Sequence, residues 1–174
     1  KLETARVNAL EAMKRPENVD RLVYSLRMTA PGATAYFICD EDDKAEIDAV
    51  LAEPLARVII SNRGQTFAQK VNAGYLGTGE PWLVVVGDDV EFHDGWWEAA
   101  AKVSDRFDVI GTNDTTGRVK NPEVANGSHA DHFFVRRAYI DRYGACLEGP
   151  GVAAPESYRH WYVDKEMIGL AKAR

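Results

Sequence analysis

The chain has no apolar run approaching the roughly 18 residues that a membrane-spanning helix needs, and its first residues do not form the charged-then-apolar pattern of a secretory signal. A membrane span is not expected. Cysteine is scarce: Cys39 and Cys146 stand far apart, which excludes the paired spacing of a cysteine-built metal site and points to a reducing, cytoplasmic setting. Basic charge is in deficit, with 21 Lys and Arg against 27 Asp and Glu, a formal charge of -6 and a pI near 5.2. That balance argues against a nucleic-acid footprint, which would be basic, but leaves room for a small anion held by a local basic group or a metal. Internal repeats and low-complexity tracts are also missing. What is present is ordinary for a globular protein: 174 residues, 45% hydrophobic and 28% charged, enough for a sizeable core. One domain over residues 1–174 is the expectation.

Within that background one stretch stands out. Trp82-Leu83-Val84-Val85-Val86 places five apolar residues in a row, three of them β-branched. This is the pattern of a strand covered on both faces in the middle of a parallel sheet. It runs into Gly87-Asp88-Asp89. In open α/β sheets ligands bind outside the carboxyl ends of the strands, so the two acids stand where a ligand is expected. Adjacent carboxylates repel, and a cation or solvent relieves the repulsion.

Residues 1–14 carry Leu2, Ala5, Ala9, Leu10 and Met13 at helical spacing among good helix formers, and they predict a short amphipathic helix. A second helix is predicted over Glu17–Met28, with Val19, Leu22, Val23 and Leu26 inward, ended by Pro31-Gly32. Thr34–Cys39 reads as a strand finishing in a second acidic group, Asp40-Glu41-Asp42-Asp43. Asp42 or Asp43 is placed to cap the next helix, whereas Asp40 comes too early to cap and points from the strand tip. Arg57–Ile60 is another short strand, opening into the polar loop Ser61–Thr66 and a helix through Tyr75 that carries Lys70 and Asn72. The first turn of that helix offers free N–H groups and a positive dipole end to an anion, with Arg63 beside it.

A helix containing Trp96, Trp97, Ala100 and Val103 follows, then a strand over Arg106–Gly111 and a long polar loop over 112–129 with room for one short strand. Loops of that length are commonly lids or binding loops. Next come a strand at His132–Val135, a helix at Arg137–Tyr143, a Gly/Pro-rich segment over 148–157 and a final helix over Tyr158–Arg174. Strand and helix alternate across 17–111, the signature of a parallel α/β sheet.

Taken together, these features resemble the nucleotide-diphospho-sugar transferase (GT-A) fold, a Rossmann-like, mostly parallel sheet flanked by helices, and within it the family 2 glycosyltransferases. The resemblance covers residues 15–174. It is carried by Arg15-Pro16-Glu17-Asn18 before the first long helix, the strand ending in Asp40, and Asn62-Arg63-Gly64 leading to Lys70 and Asn72. Gly87-Asp88-Asp89 and Tyr162-Val163-Asp164-Lys165-Glu166 complete it. It implies a transferase that moves a sugar from a nucleotide-diphosphate donor to an acceptor hydroxyl, carbohydrate or other, with inversion and with the help of Mn2+ or Mg2+. By that likeness Asp40 contacts the base or ribose, and Arg63 and Lys70 the nucleotide sugar. Asp88 and Asp89 overlap the family's acidic DxD element, Asp89 as the metal ligand and Asp88 beside it, serving metal or donor. Asp164 resembles the general base near the acceptor.

The chemistry agrees with these residue types. Departure of a nucleoside diphosphate builds negative charge on the bridging oxygen, which a divalent cation bound by hard oxygen ligands stabilises. The attacking hydroxyl must lose a proton, which asks for a positioned carboxylate or His. His129 and His132 are three residues apart, so a shared metal would need a loop between them. His160 precedes Asp164 by four residues and shares a helix face with it, a candidate acceptor-site or metal-site residue. Trp161 has the aromatic face and N–H that suit sugar stacking, and of Trp96-Trp97 at least one must pack inward.

The chain departs from the family in three places. Residues 1–14 do not spell the apolar first strand that the family places mid-sheet. Gly87 stands where the first acid of DxD is usual. The chain stops before any metal-binding His beyond the last helix, so a piece of a longer protein is expected. Two other functions stand beside the transferase. One is a sugar nucleotidyltransferase, which the lack of a Gly-rich, Lys/Arg-bearing loop after a clear first strand disfavours. The other is a non-catalytic carbohydrate-binding or structural module of the same fold.

Overall fold

In the computed structural model the described residues are 6–9, 15–113, 122–158 and 163–174, with only the backbone of 6–9, 125 and 163. In chain order the elements are β1 (Arg6–Ala9), α1 (Glu17–Thr29), β2 (Ala35–Asp40), α2 (Lys44–Ala52), β3 (Ala56–Ser61), α3 (Phe67–Leu76) and β4 (Trp82–Val86). They continue with α4 (Trp96–Val103), β5 (Val109–Thr112), α5 (Pro122–Ala125), β6 (His132–Arg136), α6 (Arg137–Tyr143) and α7 (Val163–Ala173). The strands form one sheet in the order β3-β2-β1-β4-β6-β5.

The helix expected within residues 1–14 is corrected at its centre: Arg6–Ala9 is a strand in the middle of the sheet. Val7 stands opposite Ala35 of β2 on one side and opposite Val84 of β4 on the other, both parallel. Local propensity favours helix there, but β2 and β4 each offer a row of N–H and C=O groups that must be paired, and tertiary pairing outweighs a weak local preference. The sheet is also not wholly parallel. β4 pairs parallel with β1 and antiparallel with β6, which in turn runs antiparallel to β5. The expected short strand between 112 and 129 is not found among the described residues, where α5 forms a single helical turn instead. The final helix is described over Val163–Ala173 as α7; Tyr158 itself is not helical, and residues 159–162 of the expected helix lie outside the described set.

The apolar run of β4 serves both faces, as its composition requires. Trp82, Val84 and Val86 join Phe37 and Cys39 of β2, Phe134 of β6 and Val19, Leu22, Val23 and Leu26 of α1. Leu83 points the other way, with Ile38, Val71 and Tyr75 of the β2–α3 region, Phe133 and Val135, and Ile140 of α6. Helix starts are set by side chains. Asp43 Oδ1 accepts from the Glu46 N–H at 3.3 Å and caps α2. Thr66 and Gln69 cap α3 reciprocally, Gln69 N–H donating to Thr66 Oγ1 and Thr66 N–H to Gln69 Oε1. Trp96 and Trp97 stack around Phe134, with ring centroids 5.3 and 6.3 Å from it.

Phe134 is wholly buried and joins the sheet to α4. Phe134→Ala is expected to cost about 3–5 kcal/mol through lost burial and the cavity left behind. Urea unfolding followed by tryptophan fluorescence measures it; a loss under about 1 kcal/mol would contradict this packing.

Candidate functional site

The strand order reverses between β1 and β4: β2 and β3 extend the sheet to one side, β4 to the other. β1 and β4 run parallel and so end at the same edge, and a reversal of strand order is the usual ligand position in such sheets. β6 is antiparallel to β4, with Val85 opposite Phe133, so the segment entering β6 lies at that edge too. The candidate residues on these connections fall into three groups along it.

The first group follows β4. Asp88 is buried, its side chain 1% exposed, and both its oxygens accept from Arg15: Nε donates to Oδ2 at 3.1 Å and Nη2 to Oδ1. Arg15 Nη1 also reaches Asp89 Oδ2 at 3.4 Å, and Arg21 donates to the Asp89 carbonyl at 3.2 Å. These bonds, from Asp88 first, hold the Arg15 guanidinium more basic than a free one. Asp89 keeps a carboxylate that is 59% exposed. It folds back over Gly87, where an added Cβ would lie 2.7 Å from Asp89 Oδ1, so a side chain at 87 would displace it.

Behind Arg15 stands a buried acid that the sequence reading passed over. Glu46 is fully buried on α2, and its Oε2 accepts the Arg15 N–H at 3.2 Å. Its Oε1 and Asp43 Oδ2 are buried with no hydrogen-bond donor among the described residues. Burial, with the Asp43 and Asp88 charges adding to it against the Arg15 hydrogen bond, pushes the Glu46 carboxyl up to about 7. A proton on Glu46 would serve both orphan oxygens.

The second group lies at the ends of β2 and β3. Lys70 on α3 pairs with Asp40 at 2.9 Å, and Ser61 donates to the same Asp40 oxygen at 3.2 Å. Burial pushes the Asp40 carboxyl up, but the Lys70 ammonium and hydrogen bonds from Ser61 and the Gly64 N–H outweigh it, leaving Asp40 below its ordinary value. Asp40 and Lys70 are thus brought together. Arg63 is not: its guanidinium is 76% exposed and pairs with Asp42 at 3.3 Å.

The third group joins the segment before β6 to α7. His129 Nδ1 lies 2.7 Å from Asp164 Oδ2, and His129 Nε2 lies 3.3 Å from Asp131 Oδ1. The first contact has the distance of a hydrogen bond without its alignment, and among the described residues the buried Nδ1 has no hydrogen-bond partner. Glu166, one half-turn on, accepts the Leu147 N–H at 2.7 Å. The loop containing Leu147 is itself fixed by Asn72, whose Oδ1 accepts from Ala153 and Ala154 N–H and whose Nδ2 donates to Ala154 O and Glu156, all at 2.9 Å. His160 and Trp161 lie outside the described residues.

A divalent cation fits this edge in part. Among the described residues no three His, Cys, Asp or Glu side chains converge on one point. Asp89 offers an exposed hard-oxygen donor, whereas a cation reaches Asp88 only by displacing Arg15. Of the residues missed from sequence, Arg15 was visible only as part of a motif, and the partnership of His129 with Asp164 had no local signal.

No family model matches the chain, and no curated protein matches it. Solved structures do. TarS of S. aureus (residues 1–349) superposes with a TM-score of 0.63 at 15% identity, over 97% of this chain and 55% of that one. Glucosyl-3-phosphoglycerate synthase from Mycobacterium tuberculosis, in complex with Mn2+, uridine diphosphate and glucosyl-3-phosphoglycerate, gives 0.59 at 11%, over 82% and 60%. The mannosyltransferase PcManGT from Pyrobaculum calidifontis, in complex with GDP-Man and Mn2+, gives 0.58 at 16%, over 95% and 50%. The fold is therefore the GT-A, Rossmann-like fold of nucleotide-sugar transferases. The chain spans between half and 60% of the length of these three structures. No helix among the described residues is long and apolar enough to cross a membrane.

Glu46→Gln tests the buried acid pair. The folded carboxyl titrates near 7 against an ordinary 4.5, so between those values the folded state holds a proton that the unfolded state has lost, and stability falls as pH rises through this window. At about 1.4 kcal/mol per unit the penalty at pH 8 is on the order of 3 kcal/mol. The glutamine keeps an acceptor for Arg15 and adds a donor for Asp43. Its urea midpoint is expected above wild type at pH 8 and level with it at pH 4.5; parallel pH dependences would contradict the pairing.

Proposed function

We propose that this chain is the donor-binding part, or the whole, of a glycosyltransferase that moves a sugar from a nucleoside-diphosphate donor to an acceptor hydroxyl with inversion. The observation that carries this reading is the placement of three differently equipped groups on one sheet edge at the reversal of strand order. Residues 1–174 act as one unit in this reading, and the two buried free thiols, Cys39 and Cys146, fit a reducing, cytoplasmic setting.

Asp40, held ionised by Lys70 and Ser61, accepts hydrogen bonds from the ribose hydroxyls or base of the nucleotide. Arg63 swings from Asp42 to a phosphate, a small loss because exposed ion pairs contribute little. Asp89 is the carboxylate that would hold Mn2+ or Mg2+, with phosphate oxygens filling most of the remaining shell. When bound, the cation offsets the charge that builds on the departing diphosphate. Asp88 acts through Arg15, keeping the guanidinium beside Asp89. Asp164 takes the proton of the attacking hydroxyl, and His160 and Trp161 contact the acceptor or the transferred sugar.

One observation favours a non-catalytic carbohydrate-binding module instead: Arg15 already neutralises the acids that a cation would need. Ligand-induced stabilisation separates the two. A ligand at 100 times its dissociation constant stabilises by about 2.7 kcal/mol, so UDP, GDP or dTDP with Mn2+ is expected to raise the melting temperature by several degrees. Asp89→Ala is expected to abolish the Mn2+-dependent part of that shift. Asp164→Asn is expected to keep the shift and to lower turnover by roughly 10²–10⁴-fold, the usual worth of a general base. A protein indifferent to all three nucleotides, with and without Mn2+, is not a transferase.

A further inference from the structure

We propose that His129 is a positioning residue for Asp164. The inference rests on the reading of Asp164 as the base and deepens it. The imidazole stands between two carboxylates: Nδ1 is 2.7 Å from Asp164 Oδ2 and Nε2 is 3.3 Å from Asp131 Oδ1. Among the described residues the buried Nδ1 has no aligned hydrogen-bond partner, and Asp164 Oδ2 is the acceptor standing at hydrogen-bond distance from it.

Each side of the ring is held. The His129 N–H donates to the Glu123 carbonyl at 3.1 Å, and Ser128 N–H donates to the same carbonyl at 2.8 Å. Asp131 N–H donates to Thr112 O at 3.1 Å, which ties the segment to the end of β5. On the other side α7 is fixed at its start by Glu166 on the Leu147 N–H and at its end by Arg174 on the Gly144 carbonyl at 2.8 Å. The ring thus joins two independently anchored elements at one carboxylate. A carboxylate on the first turn of a helix otherwise samples several rotamers. A donor on Oδ2 selects one of them and leaves Oδ1 to receive the hydroxyl proton. Asp131 stands at ion-pair distance on the other ring nitrogen, where a carboxylate can orient an imidazole.

The test uses the full chain, which has four histidines. In long-range 1H–15N spectra the His129 signals are those lost on His129→Asn. Asp164→Asn is expected to move the Nδ1 resonance of His129; an unmoved Nδ1 resonance overturns the proposal without any assay of turnover. Release of nucleoside diphosphate from UDP-glucose, GDP-mannose and dTDP-glucose with Mn2+, water serving as acceptor, gives the functional arm. His129→Gln is expected to lower kcat at least tenfold, with KM for the donor within twofold of wild type. His129→Asn, whose amide nitrogen falls near the Nδ1 position, is expected to recover most of that loss. Equal impairment of the two variants, or wild-type kcat in His129→Gln beside an inactive Asp164→Asn, overturns the role of His129 and leaves the base intact. Undiminished turnover in Asp164→Asn, or no turnover of any donor by the wild type, overturns the base assignment and this proposal with it.

Discussion

The pairing of β1 is the constraint on which the rest of the structure depends. Its four residues satisfy the facing backbone groups of β2 and β4 at once. Without them both strands would present open edges inside the molecule, where unpaired N–H and C=O groups are costly. The same insertion fixes the reversal of strand order. Only because β1 lies between β2 and β4 do β1 and β4 end side by side at one edge, where Arg15 meets Asp88 across a sequence separation of 73 residues.

That meeting sets the electrostatics of the edge. A carboxylate as buried as Asp88 is unfavourable unless paired and fully hydrogen-bonded. The guanidinium supplies two donors in the planar fork that matches it. Arg15 is in turn held through its backbone N–H by Glu46, so the start of α2, the connection after β1 and the end of β4 form one hydrogen-bonded chain. The same guanidinium reaches the outer acid, Asp89, only through Nη1 at 3.4 Å, and that carboxylate stays 59% exposed. Adjacent acids in sequence thus have different environments and different chemistry.

How legible this was follows from range. Apart from α5, elements from α1 to α6 carry their own periodicity or apolar runs, and their positions could be read from Leu22, Phe37 or the valines of β4. β1 could not, because four residues are too few to show a period and its pairing partners lie elsewhere in the chain. Acids at the tips of β2 and β4 were visible because strand ends mark the ligand edge of such sheets. Their partners were harder. Lys70 and Asp40 were each picked out, but nothing local told that one neutralises the other. His129 was weighed against His132, three residues away, whereas its carboxylate partner stands on α7, 35 positions on. Pairings of this kind are made by topology, and a sequence read in windows does not contain them.

The helix that connects the two halves of the edge is α3. Lys70 and Asn72 are two residues apart, about 200° around a helix, and both are buried. One faces the Asp40 carboxylate at the tip of β2; the other faces the irregular loop through Ala153, Ala154 and Glu156. Asn72 makes four hydrogen bonds there, the full capacity usually counted for an amide. Replacing it with Asp would therefore leave a carbonyl and a carboxylate facing each other. Gly144 closes the same loop from the far side: its φ is +74°, and a Cβ there would fall 1.8 Å from the Gly149 carbonyl oxygen. The loop carries Leu147, on which Glu166 and the first turn of α7 rest. A displacement of α3 would therefore move the acid at the β2 tip and the support of Asp164 together. The capping box at Thr66 and Gln69, which fixes where α3 begins, acts on both ends of the site through one rigid element.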